Sequence, residues 1–237
     1  MCYVIVTCRS MLWTLLSVII VLMHVAALLS PQWLLGKEDV VLNGVTPSSN
    51  NRQNSTTTVQ YRNTETFVPT MGILTRCKQI YTARSEYNYV TCSYYGSFGD
   101  LPSGLWKTML VFYCFGLFIL CVIGLGSILS LCVRSVCKKS IFTLSGFIQA
   151  VAGLLILISL VFYPAGWGSS RAEELCGDTA APFQPGDCSM GWAFYVSIAA
   201  TILTFACSVL SVQAEIATSV DDIQDEIDKG KHLICIV

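Results

Sequence analysis

Charge is what this chain has least of. Asp, Glu, Lys and Arg make up 12 % of its 237 residues, against 54 % hydrophobic ones. A soluble domain carries about twice that charged share, so an ordinary soluble globular protein is excluded. The charges that exist nearly cancel, to a net −1, which leaves no basic footprint for neutralising phosphates and excludes nucleic acid as a partner. Histidine is almost absent: only His24 and His232 occur, far apart in the chain. Catalysis and metal binding need titratable or ligating groups gathered in a pocket. The long apolar runs contain no Asp, Glu, Lys or Arg, so no enzymatic activity, cofactor or metal is expected. Proline is absent from those runs as well. Transporters and channels ordinarily show intramembrane ionisable groups or broken helices, so a transporter or channel is the weaker alternative.

What is there is hydrophobic length. The runs Met11–Ser30, Thr108–Val133, Ile141–Tyr163 and Trp192–Val212 are free of charge. At about 1.5 Å of rise per residue, each reaches across the roughly 30 Å hydrocarbon core of a bilayer. The expected fold is an all-α membrane protein, a four-transmembrane-helix bundle. Its order is a tail (1–10), span one (11–30), an outer segment (31–107), span two (108–133), a loop (134–140), span three (141–163), a second outer segment (164–191), span four (192–212) and a closing tail (213–237). The short loop makes spans two and three antiparallel neighbours. Its Arg134, Lys138 and Lys139 belong on the cytoplasmic side, which places both termini in the cytosol of a plasma-membrane protein. The first run has a rival reading as a cleaved signal peptide, with Val25 and Ala27 at the small-residue positions, although it exceeds the usual apolar stretch of about 7–15 residues. Trp33, Tyr163 and Trp167 are expected at headgroup level, and Pro164 to Gly168 should stop the third helix.

The first outer segment turns polar and turn-rich, and Asn54-Ser55-Thr56 is an N-glycosylation sequon, usable if the segment is lumenal. Three stretches rich in β-branched and aromatic residues, Thr56–Tyr61, Gly72–Ile80 and Glu86–Cys92, predict a small extracellular antiparallel β-sheet. Cys77 and Cys92 flank the last two, in an oxidising compartment, and a disulfide between them would contribute about 3 kcal/mol. Cys176 and Cys188 form the other candidate pair. A four-cysteine zinc site is the rival, but neither spacing resembles a C-x2-C knuckle.

Small residues recur inside the spans. Gly126 with Ser130, and Gly146 with Ala150, are four apart and form small-xxx-small steps; with Gly153 they let helix backbones approach closely. Gln149 can hydrogen-bond across to a neighbouring helix, within the bundle or on a partner protein, and His24 is read as a neutral ring bonded to another helix, with a functional role as the alternative. Span four is rich in small and hydroxyl residues and suits a packed bundle centre. Beyond it, Ile216, Val220, Ile223 and Ile227 at 4, 3, 4 spacing predict an amphipathic helix. Its acidic face favours a protein partner over an anionic lipid surface, with a merely solvated helix end as the other reading. The closing Leu233-Ile-Cys-Ile-Val can add as a strand to a PDZ-type groove. Cys2, Cys8, Cys132, Cys137 and Cys235 sit where reversible palmitoylation occurs, so membrane lipid is a further expected contact.

Several stretches together resemble one family: CYVIVTCRSMLWTLLS (Cys2–Ser17), CKKSIF (Cys137–Phe142), YPAGWG (Tyr163–Gly168), PGDCSMGWAFY (Pro185–Tyr195) and QAEIATS (Gln213–Ser219). They are similar to the lipoma HMGIC fusion partner-like (LHFPL) tetraspan family, nearest to its second-member subfamily. More distantly, Trp33, Gly72-Ile-Leu, Cys77 and Cys92 are similar to the signature of the claudin and peripheral-myelin-protein superfamily, except that Ile73 and Leu74 stand where claudins have Leu-Trp. The resemblance implies a left-handed bundle topped by a claudin-like sheet, with Cys77 and Cys92 as its disulfide and Cys176 and Cys188 as the family's second-loop cysteines. It also implies an auxiliary subunit that holds another integral membrane protein through its spans and outer sheet and aids its delivery to the surface. The alternative is a claudin-like cell–cell junction or adhesion protein.

Overall fold

In a computed structural model of the chain, the described residues are 4–37, 39–42, 64–80, 89–130, 135–136, 139–218 and 233–236. Strand β1 (Val4–Thr7) leads into helix α1 (Cys8–Leu29). Strands β2 (Leu34–Leu35), β3 (Asp39–Leu42), β4 (Thr64–Phe67), β5 (Thr70–Met71), β6 (Thr75–Ile80) and β7 (Tyr89–Tyr94) follow. Helix α2 (Gly104–Ser130) comes next, then the short strands β8 (Ser135–Val136) and β9 (Lys139–Ser140) and helix α3 (Ile141–Ala165). The chain continues with helix α4 (Ser170–Cys176), β10 (Ser189–Met190), helix α5 (Trp192–Thr218) and β11 (Leu233–Ile236).

Helices α1, α2, α3 and α5 are each long and apolar enough to cross a membrane. They close a ring in which α1 and α3 each pack against both α2 and α5. Helix α1 starts at Cys8 rather than at 11, and three further ends differ from the expected spans, each for a local reason. Helix α2 starts at Gly104 rather than at 108, because the Ser103 hydroxyl accepts the Trp106 backbone N–H at 3.2 Å and caps the first turn. Helix α3 runs past Tyr163 through Pro164 to Ala165, since the carbonyls left open there find outside donors: Tyr163 O accepts the Trp106 indole N–H at 3.1 Å and Pro164 O accepts the Phe183 N–H at 2.9 Å. Helix α5 continues beyond 212 to Thr218, where Glu215 bonds to α3.

The sheet has five antiparallel strands in the order β10-β2-β5-β6-β7. The expected strands at Gly72–Ile80 and Glu86–Cys92 correspond to β6 and β7, and the one at Thr56–Tyr61 lies outside the described residues. The two-residue strands β2 and β10, which lack any periodic pattern, bring the second outer segment into the same sheet. Two glycines allow the sheet to sit directly on the end of α1. A Cβ at Gly72 would lie 2.5 Å from the Ser30 carbonyl oxygen, and one at Gly191 would overlap the backbone of Gln32. At the opposite end of the bundle, β1 pairs with β11 in parallel, Val4 facing Leu233 and Thr7 facing Ile236.

Candidate functional site

Beneath the sheet the mouth of the bundle is filled by aromatic rings. Trp33 is fully buried and meets Tyr113, Tyr163 and Phe194 at centroid distances of 5.9, 5.1 and 6.0 Å. Trp106 stacks on Tyr163 at 5.0 Å, and Trp167 meets the same ring edge-on at 5.9 Å. Trp33, Tyr163 and Trp167, expected at headgroup level, stand at the helix ends beneath the sheet with their rings buried. They turn inward because the space between helix ends and sheet needs wide, flat side chains, and because the Trp33 indole N–H has a partner inside, Ala27 O at 2.6 Å, a carbonyl of the last turn of α1 that also accepts the Ser30 N–H at 3.2 Å.

Below the rings lies a polar row. The Tyr113 hydroxyl shares hydrogen bonds with His24 Nδ1 at 3.1 Å and Ser197 Oγ at 3.0 Å, tying α1, α2 and α5 together. Nearer the tail end, the Trp13 indole N–H donates to Gln149 Oε1 at 3.4 Å, Ser17 Oγ lies 3.4 Å from Cys207 Sγ, and Thr14 donates to Ser127 O at 3.4 Å. Gln149, which the sequence left free to face either bundle or partner, is 1 % exposed and points inward. At that end Trp13 also meets Phe142 edge-on at 5.4 Å, and the Glu215 carboxylate accepts both the backbone N–H (3.2 Å) and the hydroxyl of Thr143 in the first turn of α3. An anion there satisfies open donors and opposes the positive end of the helix dipole.

The small-residue steps point in two directions. A Cβ on Gly146 would overlap the Ser211 hydroxyl and lie 2.9 Å from Ser208 O, and one on Gly153 would come 3.2 Å from Phe205, so this side of α3, near Ala150, packs on α5. Around Gly126 there is nothing within 4 Å of such a Cβ, and its neighbours Val122 and Leu125 are exposed. Ser130 closes α2.

The outer surface is built on two disulfides. Cys77–Cys92 joins directly facing residues of β6 and β7, and Cys176–Cys188 joins the end of α4 to the residue before β10. The second loop turns tightly through Gly186, whose φ is +61°; a Cβ there would lie 2.6 Å from Cys176 O. Between the sheet and α4 opens a cavity of about 450 Å³ whose charged lining is Lys37, Arg76, Lys78, Arg171 and Glu174. Arg76 lies 5.7 Å from the centroid of the Tyr95 ring. Burial pushes the Tyr95 phenol up to about 12, against the opposing pull of Arg76 and Arg171, so at neutral pH it is an uncharged support for the guanidinium. The sequence reading did not find this cavity. The alternation of Arg76 and Lys78 along a strand was the available signal, but α4, which forms the other wall, has no motif.

Asn54, Cys2, Cys132 and Cys137 lie outside the described residues, as does the tail beyond Thr218 up to β11. Cys8 opens α1, and Cys235 stands in β11 opposite Val6.

Four long apolar helices in a ring, with a small disulfide-stapled antiparallel sheet on one end, define a multi-pass tetraspan membrane protein. The chain belongs to the lipoma HMGIC fusion partner-like protein family, whose profile matches residues 9–213. It is similar to the human LHFPL tetraspan subfamily member 2 protein, 44 % identical over 238 residues and 100 % of both chains. It is also similar to the Danio rerio LHFPL tetraspan subfamily member 2a protein, 43 % identical over the same length and coverage. To the Gallus gallus LHFPL tetraspan subfamily member 5 protein it is 30 % identical over 118 residues, 48 % of this chain and 52 % of that one.

Proposed function

We propose that the protein is a non-enzymatic auxiliary subunit or trafficking partner of another integral membrane protein at the plasma membrane, with both termini cytosolic and the sheet outside. The observation that carries this reading is where polar and apolar groups are spent. Polar side chains inside the spans bond across the bundle, as His24, Tyr113, Ser197, Trp13 and Gln149 do, or back to a carbonyl of their own helix, as Ser159, Thr201 and Thr204 do, whereas the outward faces of α2 and α3 are broad and apolar. Phe115, Phe118, Val122 and Leu125 are exposed on α2, and Phe147, Leu154 and Val161 on α3. Around Gly126 such a face allows another helix to approach closely. On the sheet, the outer edge of β7 has no strand beside it among the described residues, and its Val90 and Tyr94 are exposed. A partner held at both levels is bound in series, since the spans restrain the outer domain and raise its effective concentration.

The test is purification of the tagged chain in mild detergent from cells that express it, followed by mass spectrometry, together with the surface proteome of cells lacking the gene. One membrane protein that co-purifies and also falls at the surface without this chain is the expected result. Recovery of the chain alone, with an unchanged surface proteome, would overturn it. Topology is checked separately. A glycosidase-sensitive mass shift abolished by Asn54→Gln supports the outer placement of the first loop, and labelling of a tag after Val237 on intact cells contradicts it.

A further inference from the structure

Among the described residues, the cavity between the sheet and α4 gathers charge that the packing of the fold uses only in part, through Arg171 donating to Asp100 O and Arg76 lying against the Tyr95 ring. Lys37, Arg76, Lys78 and Arg171 line it against a single carboxylate, Glu174, and no ion pair among the described residues neutralises any of the four. Two polar groups in it are buried without a partner. Thr70, a lining residue 8 % exposed, has no hydrogen-bond partner for its hydroxyl, and Arg76 has none for its Nε–H. Buried polar groups are ordinarily satisfied, and both of these side chains belong to the cavity wall. The lining is not purely polar, for Pro69, Met71 and Leu175 complete the walls. A hydrated inorganic anion would gain nothing from that apolar surface. A carboxylate on an aliphatic stem uses both halves, since a guanidinium matches a carboxylate plane and Thr70 can donate to the same group. The volume of about 450 Å³ is in the range of small-ligand clefts.

We propose that this cavity receives acidic side chains, Asp or Glu, from an extracellular segment of the partner protein. The inference rests on the auxiliary-subunit reading and identifies the chemistry of one of its contacts. Lys37 and Lys78 are exposed and steer the acidic segment in. Arg76, braced on Tyr95, and Thr70 bind it inside.

The full chain in detergent micelles is titrated with a fluorescein-labelled oligoglutamate peptide and, in parallel, with its oligoglutamine counterpart, read by anisotropy. Only oligoglutamate is expected to bind, with affinity falling as salt is raised from about 50 to about 500 mM. The double variant Lys37→Glu, Lys78→Glu should bind at least about tenfold more weakly, with an unchanged elution volume and melting midpoint. Thr70→Val, which keeps the side-chain shape and removes the donor, should weaken binding about threefold or more. Equal binding of oligoglutamine overturns the proposal, as does undiminished binding by the double lysine variant. Loss with the lysines but not with Thr70→Val would also overturn it, because the attraction would then be a surface patch outside the cavity. Preferential binding of a sialylated oligosaccharide added as competitor would replace the peptide by a glycan and equally overturn it. These titrations need no cellular partner, so a failure of the auxiliary-subunit reading, seen as recovery of the chain alone from cells, is distinct from a failure here.

Discussion

The two ends of this bundle are closed by different means. At the sheet end, a cluster of Trp33, Trp106, Tyr163, Trp167 and Phe194 fills the mouth, and two disulfides staple the strands and helix above it. At the tail end the described residues hold one aromatic pair, Trp13 with Phe142, and separate hydrogen bonds: Trp13 donates its indole N–H to Gln149, Cys207 donates to Trp13 O, and Glu215 accepts from Thr143. The difference follows from what each end supports. The sheet is too small to bury a core of its own, so crosslinks and a shared aromatic floor replace one. The tail end only continues the helices, whose backbone hydrogen bonds are already internal, and it needs little beyond register. Damage at the sheet end should therefore be large and cooperative, and damage at the tail end small and local.

The largest effect should come from Trp33→Ala, which removes the ring shared by three others and should cost about 3–5 kcal/mol. The expected readout is loss of a monodisperse peak in fluorescence-detected size exclusion. Next is Cys77→Ser, at about 3 kcal/mol, seen as retention early in the secretory route; Cys176→Ser should behave alike because the loop it closes is of similar length. Reductant should lower the melting midpoint of the wild type and leave a double-disulfide knockout where it is. Gly146→Leu should cost about 1–3 kcal/mol through overpacking against Ser211, measured as a lower midpoint and reduced surface expression. Glu215→Gln tests the tail end directly, with an expected loss of about 1 kcal/mol from the cap of α3. If that midpoint fell as far as the one for Trp33→Ala, the contrast between the ends would be wrong. The smallest effect belongs to Gly126→Leu, within about 0.5 kcal/mol of wild type in stability, while partner co-purification falls if that face carries the proposed contact.

The spans were legible because absence of charge over twenty residues has only one solvent that suits it. Their ends lay elsewhere: Ser103 opens α2 ahead of Lys107, and α5 runs on past Val212 to bring Glu215 against Thr143 of α3. The sheet was legible only where strands are long enough to show composition. Leu34–Leu35 and Ser189–Met190 are too short to carry a pattern, so the entry of the second outer segment into the sheet was invisible. Small-residue steps announced close packing without direction, because Gly146 and Gly126 look alike until a neighbour is placed beside each. For Trp33, Tyr163 and Trp167 the composition rule for membrane interfaces named a level along the helices and not the direction of the rings. Their inward rings answer to a space created jointly by two distant segments. The described residues of the family's resembling stretches converge on the same two places: those of YPAGWG and PGDCSMGWAFY on the aromatic floor, and those of the opening stretch, CKKSIF and QAEIATS on the tail end.

The parallel pairing of β1 with β11 makes the polypeptide a closed circuit, with its first and last described strands side by side at one end of α1. Any groove that takes the terminal strand by edge addition must then use the free edge of β11 or peel it from β1. A reporter fused at one terminus is thus never remote from the other, and an epitope there reads the state of the pair rather than of a single tail.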